Sequence, residues 1–184
     1  VTKTTLRKKF KALKFRNIED KSYKILTQLF EDPILSKARN IGIFYPRKHE
    51  PDLLPLWFKY PKKFAFPKVL KTSMNFYHVS SLYALREGYG GIFEPLPATN
   101  YLVKKWSDKD VIFVPGLFFD KNGHRLGSGK GFFDRFLSKI PKSVIKVGIC
   151  FSSQVVEEIP TEEHDIRMDF LLTEKGKILP SEIS

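Results

Sequence analysis

Val111-Ile112-Phe113-Val114-Pro115-Gly116 runs into Leu117-Phe118-Phe119-Asp120-Lys121-Asn122-Gly123, and then into His124-Arg125-Leu126-Gly127-Ser128-Gly129-Lys130-Gly131-Phe132-Phe133-Asp134-Arg135-Phe136-Leu137. The apolar run Val111–Val114, stopped by a proline, reads as a strand covered on both faces. A turn is expected between Asp120 and Gly123. Glycines then lead into an apolar helical pattern, expected to run from Phe132 to Ile140. Strand, glycine-rich loop and helix in this order suit a sheet with helices packed on it.

The rest of the chain repeats that alternation. Leu6, Phe10 and Leu13 recur at helical spacing within Thr2–Phe15. Asn17, with Asp20 three residues later, resembles a capping box for a second helix that Pro33 is expected to end. Strands are expected at Ile41–Tyr45, at Phe64–Phe66 closed by Pro67, at Met74–Val79, at Val144–Phe151 and at Phe170–Leu172. Asp52–Tyr60 reads as a short helix with Pro55 in its first turn, and Glu87–Tyr101 as a long ordered loop rich in Gly and Pro. The expected fold is α/β: a three-layer sandwich with a largely parallel or mixed central sheet flanked by helices, in one domain over residues 1–184.

Composition narrows the function classes. The single cysteine, Cys150, lies in the apolar run Val147–Phe151 and is expected as a buried thiol, with no disulfide and no zinc-type cluster. The 17 phenylalanines sit mainly in short apolar runs and are expected in the core. No stretch approaches a membrane span and no apolar signal core follows the basic N-terminus, so a cytoplasmic protein is expected. A formal net charge of +12 calls for anionic partners: nucleic acid, or a polyanionic small substrate together with a nucleotide. Abundant aromatics would also suit an RNA-binding module, but no aromatic-rich RNA-binding strand and no zinc finger occur, and the basic residues are spread over several elements.

The chemistry concentrates between Asp120 and Arg135. Gly123, Gly127, Gly129 and Gly131 free the backbone to approach a ligand, Arg125 and Lys130 supply positive charge, and the following helix would aim N–H groups at an anion. Asp134 is placed where a carboxylate can hold a metal ion. The pattern matches neither the P-loop nor the dinucleotide-binding spacing.

Val114–Leu137 resembles the signature of the 5-formyltetrahydrofolate cyclo-ligases: Pro-Gly after a strand, Phe-Asp, Gly-x-Arg-Leu-Gly-x-Gly-x-Gly, two aromatics and Asp. Lys3-Thr4-Thr5-Leu6-Arg7, Glu50, Glu94-Pro95, Gln154 and His164-Asp165 resemble further family positions in order and spacing. The family carries Tyr-Tyr where this chain has Phe132-Phe133, so a phenolic hydroxyl role at those positions is lost.

The resemblance implies ATP-dependent, magnesium-dependent cyclisation of 5-formyltetrahydrofolate to 5,10-methenyltetrahydrofolate, with ADP and phosphate released. It implies a catalytic role for Arg125 and Lys130. It implies ATP binding by Lys3, Thr4, Thr5, Leu6, Arg7, Arg125, Leu126, Gly127, Ser128, Gly129, Lys130, Gly131, Phe132 and Phe133. Folate would meet Arg7, Tyr45, Glu50, Ser128, Gly129, Lys130, Gly131 and Phe132, with Glu50 on the pterin. Magnesium would sit on Asp134 and Asp165. The partner implied is a folate, with or without a polyglutamate tail, acted on by a monomer without nucleic acid or membrane. His164 is discounted as a ligand because adjacent residues seldom face the same way, and His124 is expected to be exposed rather than catalytic.

Overall fold

The apolar run that opens the glycine-rich stretch is the central strand of the molecule. The computed structural model describes residues 1–61, 63–98 and 101–181. In chain order the elements are α1 (Lys3–Ala12), α2 (Ile18–Glu31), α3 (Pro33–Lys37), β1 (Ile41–Gly42), β2 (Phe64–Leu70), β3 (Ser73–His78), β4 (Arg86–Glu87), β5 (Phe93–Glu94), β6 (Val111–Val114), β7 (Phe118–Asp120), β8 (Arg125–Leu126), α4 (Phe132–Leu137), β9 (Ile145–Ile149), β10 (Val155–Val156), β11 (Phe170–Thr173) and β12 (Gly176–Ile178). The main sheet has the order β12-β11-β9-β6-β1-β2-β3. Its inner strands, from β11 through β9, β6 and β1 to β2, pair in parallel. The edges β12 and β3 are antiparallel.

The alternation of side chains across this sheet builds two cores. Phe64, Phe66, Val111, Phe113, Val147, Ile149, Phe170 and Leu172 face one side, where Ile25, Leu26 and Leu29 of α2 and Leu35 of α3 cover them. Ala65, Ile112, Val114, Cys150 and Leu171 face the other, where Phe136 and Leu137 of α4 meet Met74, Phe76 and Trp106. A sheet apolar on both faces must be covered on both, and the layers expected from the sequence follow. Cys150 is fully buried as expected, and burial pushes its thiol far up. A smaller sheet, β10-β7-β8, packs with α1 through Leu6, Phe10, Phe118, Leu126 and Ile159. Of its strands of two or three residues, β8 falls inside the glycine-rich stretch and β7 and β10 lie where no strand was expected, and β12 and the β4–β5 hairpin were also not expected.

Several local expectations are corrected. Asn17 adopts a left-handed backbone (φ 54°) and its side chain makes no cap bond, because the capping geometry needs an extended residue. Its carbonyl instead accepts from Lys21 N. Pro33 does not merely end α2 but opens α3 as its first residue, capped by Asp32 Oδ1 accepting from Ile34 N at 2.8 Å. Pro67 does not close β2. The N–H of Val69, two residues on, points away from β3 to Glu94 Oε2 (3.1 Å), so the N–H that Pro67 lacks falls on a side where β1 has already stopped pairing. Asp52–Tyr60 contains only a 3-10 turn at Leu54–Phe58, started by Asp52 Oδ1 accepting from Leu54 N. Helix α1 stops at Ala12, and α4 stops at Leu137 rather than Ile140, which precedes Pro141 and is thereby steered away from helical backbone. Strand pairing in β1 covers only Ile41–Gly42 of the expected Ile41–Tyr45. Thr99 and Asn100, within the expected long loop, lie outside the described residues.

One buried carboxylate ties the parallel strands at their N-terminal ends. Asp110, 1% exposed, accepts through Oδ1 from Asn40 N and Nδ2 (both 2.9 Å) and through Oδ2 from Ser107 N (2.7 Å) and Arg39 Nη2 (3.1 Å). It therefore fixes β1 beside β6. Removing it strands buried donors, so Asp110→Ala should lower unfolding free energy by about 3 kcal/mol in urea titration, and Asp110→Asn by less.

Candidate functional site

The parallel strands end in a cavity of about 490 Å³. Strand β1 leads to β2 on one side of the sheet while β6 joins β1 on the other, so the order reverses between β1 and β6, the place where such sheets leave a crevice. Phe44 and Tyr45 beyond β1, and Pro115 to Leu117 beyond β6, form its floor.

Arg125 is the most enclosed cation of the site, 8% exposed. Its Nη2 donates to Asp134 Oδ2 at 2.8 Å, Nη1 to Pro115 O at 3.4 Å, and its guanidinium lies 5.6 Å from the centre of the Phe133 ring. Its Nε is buried without a partner among the described residues. Gly127 is small for this reason: a Cβ there would stand 2.8 Å from Arg125 Nη1. Gly131 serves another need, a left-handed backbone (φ 67°) that turns the loop into α4. Lys130 is exposed and makes no ion pair among the described residues. Since α4 has only six residues, the loop and its cations, rather than the helix dipole expected from the sequence, make this wall attractive to anions.

Helix α1 brings the second pair of cations. Thr2 caps it, its Oγ1 accepting from Thr5 N at 3.1 Å, and Leu6 and Phe10 bury one face. Arg7 then donates from Nε to Gly127 O at 3.2 Å, lying along the glycine-rich loop. Lys3 bonds Asp165 Oδ2 at 2.7 Å and lies 3.4 Å from Glu162. Burial alone would raise the Asp165 carboxyl, but the bonds from Lys3 and from the Glu162 N–H hold it below its ordinary value. Glu162, His164 and Asp165 bring potential ligand atoms within 4.8 Å of one another, so His164 does share a face with Asp165. Asp134 and Asp165 each keep Oδ1 free of hydrogen bonds among the described residues. A free carboxylate oxygen of this kind suits a hard divalent cation that takes its remaining ligands from phosphate and water, and Asp134 is not part of the Glu162–His164–Asp165 cluster.

Glu50 lines the same cavity. Its backbone N–H donates to Arg47 O while its Oε2 accepts from Arg47 N, both at 2.9 Å, so the carboxylate is held by its own turn with Oε1 free. Burial pushes this carboxyl up, against the pull of Arg47. His49 beside it packs edge-on against Phe10 of α1 at 4.9 Å, and burial lowers its imidazole.

Sixteen of the residues expected in the site line this one cavity, from Lys3, Thr4 and Arg7 through Tyr45 and Glu50 to Arg125–Asp134 and Asp165. Thr5 and Leu6 do not: Thr5 belongs to the helix cap, and Leu6 is buried under α1. Phe132 stacks edge-on with Tyr89 at 5.3 Å and lies under the Arg135 guanidinium at 5.0 Å, so these positions act through their rings. Gln154 lies outside the cavity but braces its floor, with Nε2 donating to Gly116 O and Leu117 O at 3.0 and 3.1 Å. His124 is partly buried and holds Asp120 at 3.0 Å, away from the cavity. Arg47, Tyr89 and Glu162 line the cavity and were missed. Glu94, noted in the sequence for its Glu-Pro pair, lines it as well. It accepts from Lys68 Nζ, Val69 N and Tyr89 N and so fixes the β4–β5 hairpin over the cavity.

Comparison with known proteins agrees with this geometry. The profile of the 5-formyltetrahydrofolate cyclo-ligase family matches residues 1–174. A probable 5-formyltetrahydrofolate cyclo-ligase of Schizosaccharomyces pombe is 30% identical over 178 residues, 85% of either chain. The 5-formyltetrahydrofolate cyclo-ligase of Haemophilus influenzae is 42% identical over 84 residues, 45% of this chain and 44% of that one. The solution structure of Aquifex aeolicus 5,10-methenyltetrahydrofolate synthetase shares the fold with a TM-score of 0.82 at 35% identity, over 99% of this chain and 94% of that one. The Mycoplasma pneumoniae synthetase, 22% identical with a TM-score of 0.69 over 95% and 99% of the two chains, shares the fold. On sequence over nearly its whole length and on fold, the chain belongs to the 5-formyltetrahydrofolate cyclo-ligase family.

Proposed function

We propose that the chain carries out its family's reaction, the ATP-dependent cyclisation of 5-formyltetrahydrofolate to 5,10-methenyltetrahydrofolate, in the cavity between β1 and β6. The observation that carries the reading is one cavity lined both by the Glu50 carboxylate, with Oε1 free, and by the cations Lys3, Arg7, Arg125 and Lys130. A carboxylate with one free oxygen suits the N–H donors of a pterin ring. The cations suit the phosphates of ATP.

The chemistry needs no nucleophilic side chain. The formamide oxygen is a poor leaving group until it takes the γ-phosphoryl group of ATP, releasing ADP. The N-10 amine then attacks the activated carbon and phosphate leaves. Phosphoryl transfer asks the protein for position and charge neutralisation. Arg125 would offer its charge and its unpartnered Nε, and Lys130 its uncommitted ammonium. Asp134 and Asp165 would hold magnesium, which when bound neutralises phosphate charge. Phe132, Tyr45 and the hairpin bearing Tyr89 would enclose the folate and exclude water. The expected oligomeric state, a monomer, and the cytoplasmic location belong to this proposal as well. Among the described residues no helix is long and apolar enough to cross a membrane.

The direct test is the ultraviolet absorbance of methenyltetrahydrofolate, expected to rise only with 5-formyltetrahydrofolate, magnesium and ATP together. A flat trace from folded protein would sink the reading. Arg125→Ala should lose a charge-assisted bond and with it about 10- to 150-fold in kcat/KM, read in the same assay. Glu50 supplies a pH test. Its carboxyl titrates above the ordinary value, so ionising it disfavours the fold, and the stability it contributes at acid pH is lost as pH rises through the folded value. Folate donors need the ionised form. Glu50→Gln should therefore stabilise the ligand-free protein at neutral pH, raise the folate KM about tenfold, and remove the acid limb of the kcat/KM profile. Thermal melts and a pH series check both arms.

A further inference from the structure

His49 joins the Glu50 turn to helix α1. Its ring packs edge-on against Phe10 of α1 at 4.9 Å and lies 5.9 Å from Phe15, just beyond the helix. Phe10 and Phe15 meet each other at 5.6 Å, so the three rings form one cluster. Phe10 is one of the two buried residues of α1, and Arg7 lies one turn before it. The ring therefore touches the residue that anchors the helix carrying Lys3 and Arg7. Its neighbour Glu50 lines the cavity, while His49 stands outside the lining.

Nε2 of this ring is buried and has no hydrogen-bond partner among the described residues. A neutral imidazole tolerates that, with its proton on Nδ1 and Nε2 a bare acceptor. An imidazolium carries N–H donors on both nitrogens and must bury one of them unpaired. The charges around the ring agree. Arg47 and Lys48 share its turn, Arg7 and Lys11 flank Phe10 on α1, and Lys14 and Arg16 flank Phe15. Each cation opposes protonation. Glu50 is the one anion of the turn, and burial raises its carboxyl, so its counter-charge fades as pH falls. Strand β7, which meets Phe10 through Phe118, brings Asp120, but that carboxylate is held by His124 and by three backbone N–H groups. Cation–π attraction to the two phenylalanines is weaker than the cost of a buried unpaired donor. Burial first, and the Arg47 charge second, hold the imidazole below its ordinary value.

We infer that His49 is a positioning residue of this site: as a neutral ring it holds α1 against the Glu50 turn, and on taking up a proton it releases α1 together with Lys3 and Arg7. Linkage fixes the direction. The folded ring binds its proton less readily than the free side chain. Its contribution to α1 docking is therefore complete above the ordinary value of about 6.5 and is lost as pH falls from there through the folded value. Glu50 acts with the opposite sign, adding stability in acid, so the opening of α1 is a more direct gauge than global stability. The Lys3–Asp165 pair also weakens in acid, but only below the ordinary carboxylate value, because Asp165 is held beneath it. The step from α1 to phosphate binding rests on the ATP reading of the cavity. The release of α1 does not.

Hydrogen exchange of the whole, ligand-free protein, expressed as protection factors between pH about 7.5 and about 5, tests the release. Protection of α1 amides should fall about three- to tenfold relative to that of β6. His49→Phe keeps a ring and removes the titration, and its α1 protection relative to β6 should stay level. In wild type the loosening should begin near pH 6.5, run to the midpoint of the His49 ring resonances in an NMR titration, and stop below it. Over the same interval wild type should lose about three- to tenfold more affinity for an ATP analogue than His49→Phe does. Level α1 protection in wild type, an equal fall in His49→Phe, a fall shared by β6, or a loosening that starts only below the ring's midpoint would each overturn the assignment. If His49→Phe does not fold, the wild-type exchange curve and ring titration decide alone. An ATP analogue that binds at no pH would sink the ATP reading, and exchange in α1 would still confirm or overturn the release.

Discussion

The structure around the site depends on burying one guanidinium. An isolated charge with Arg125's 8% exposure would be strongly disfavoured. Asp134 supplies the counter-charge, Pro115 a carbonyl, and Phe133 a ring face. Pro115 follows β6 while Phe133 and Asp134 both belong to α4, so satisfying Arg125 of β8 sets the relation of β6, β8 and α4. The small residues follow from it as well. A Cβ at Gly116 would approach the Phe119 ring at 2.8 Å and Arg125 Cγ at 2.9 Å, and one at Gly127 would approach Arg125 Nη1 at 2.8 Å. What reads in sequence as a glycine-rich phosphate loop is in part the packing shell of an arginine.

The sequence reveals most where the determinants are local. The parallel strands were legible because β6, β9 and β11 are short, predominantly apolar runs, the signature of burial on both sides, with Lys146 of β9 the charged exception. The loop from Arg125 to Gly131 was legible because its charge and its freedom lie within a few residues of each other. Reading Glu50 as a pterin ligand needed the family resemblance, since a lone acid before a proline carries no pattern. What stayed hidden was non-local. Strands β7, β8 and β10 have two or three residues each and exist because they pair with one another under α1, which no periodicity can show. Arg47 and Tyr89 enter the cavity only once the Glu50 turn and the β4–β5 hairpin have been placed. Asn17 misled because its residue type suits both a helix cap and a left-handed turn, and only the chain path chooses between them.

Charge is handled in two ways on this surface. In the cavity, the cations of α1 and β8 are engaged with protein carboxylates or carbonyls. Arg125 is paired with Asp134, Lys3 with Asp165, and Arg7 with Gly127 O. Such groups are already oriented, which lowers the ordering that a polyanion must impose when it binds. Lys104, Lys105 and Lys139, around a second groove, are exposed and make no ion pair among the described residues. A net charge of +12 thus divides into a preorganised part and a loose part, and only position in the fold distinguishes them.

Helix α1 contributes to the cavity from very far along the chain. Arg7 meets a partner 120 residues away and Lys3 one 162 residues away. Contacts of that separation carry a loop-closure cost and form late, after the central sheet has given both ends a fixed address. They are also the first to loosen, because detaching a ten-residue helix leaves the seven-stranded sheet intact. Of the five lysines and arginines that line the cavity, Lys3 and Arg7 can therefore be lost through a sub-global opening that costs less than unfolding. A polyanion bound across α1 and the glycine-rich loop would act as the clasp between them. Such a ligand should slow amide exchange in α1 far more than in β6, whose protection already reflects the whole fold.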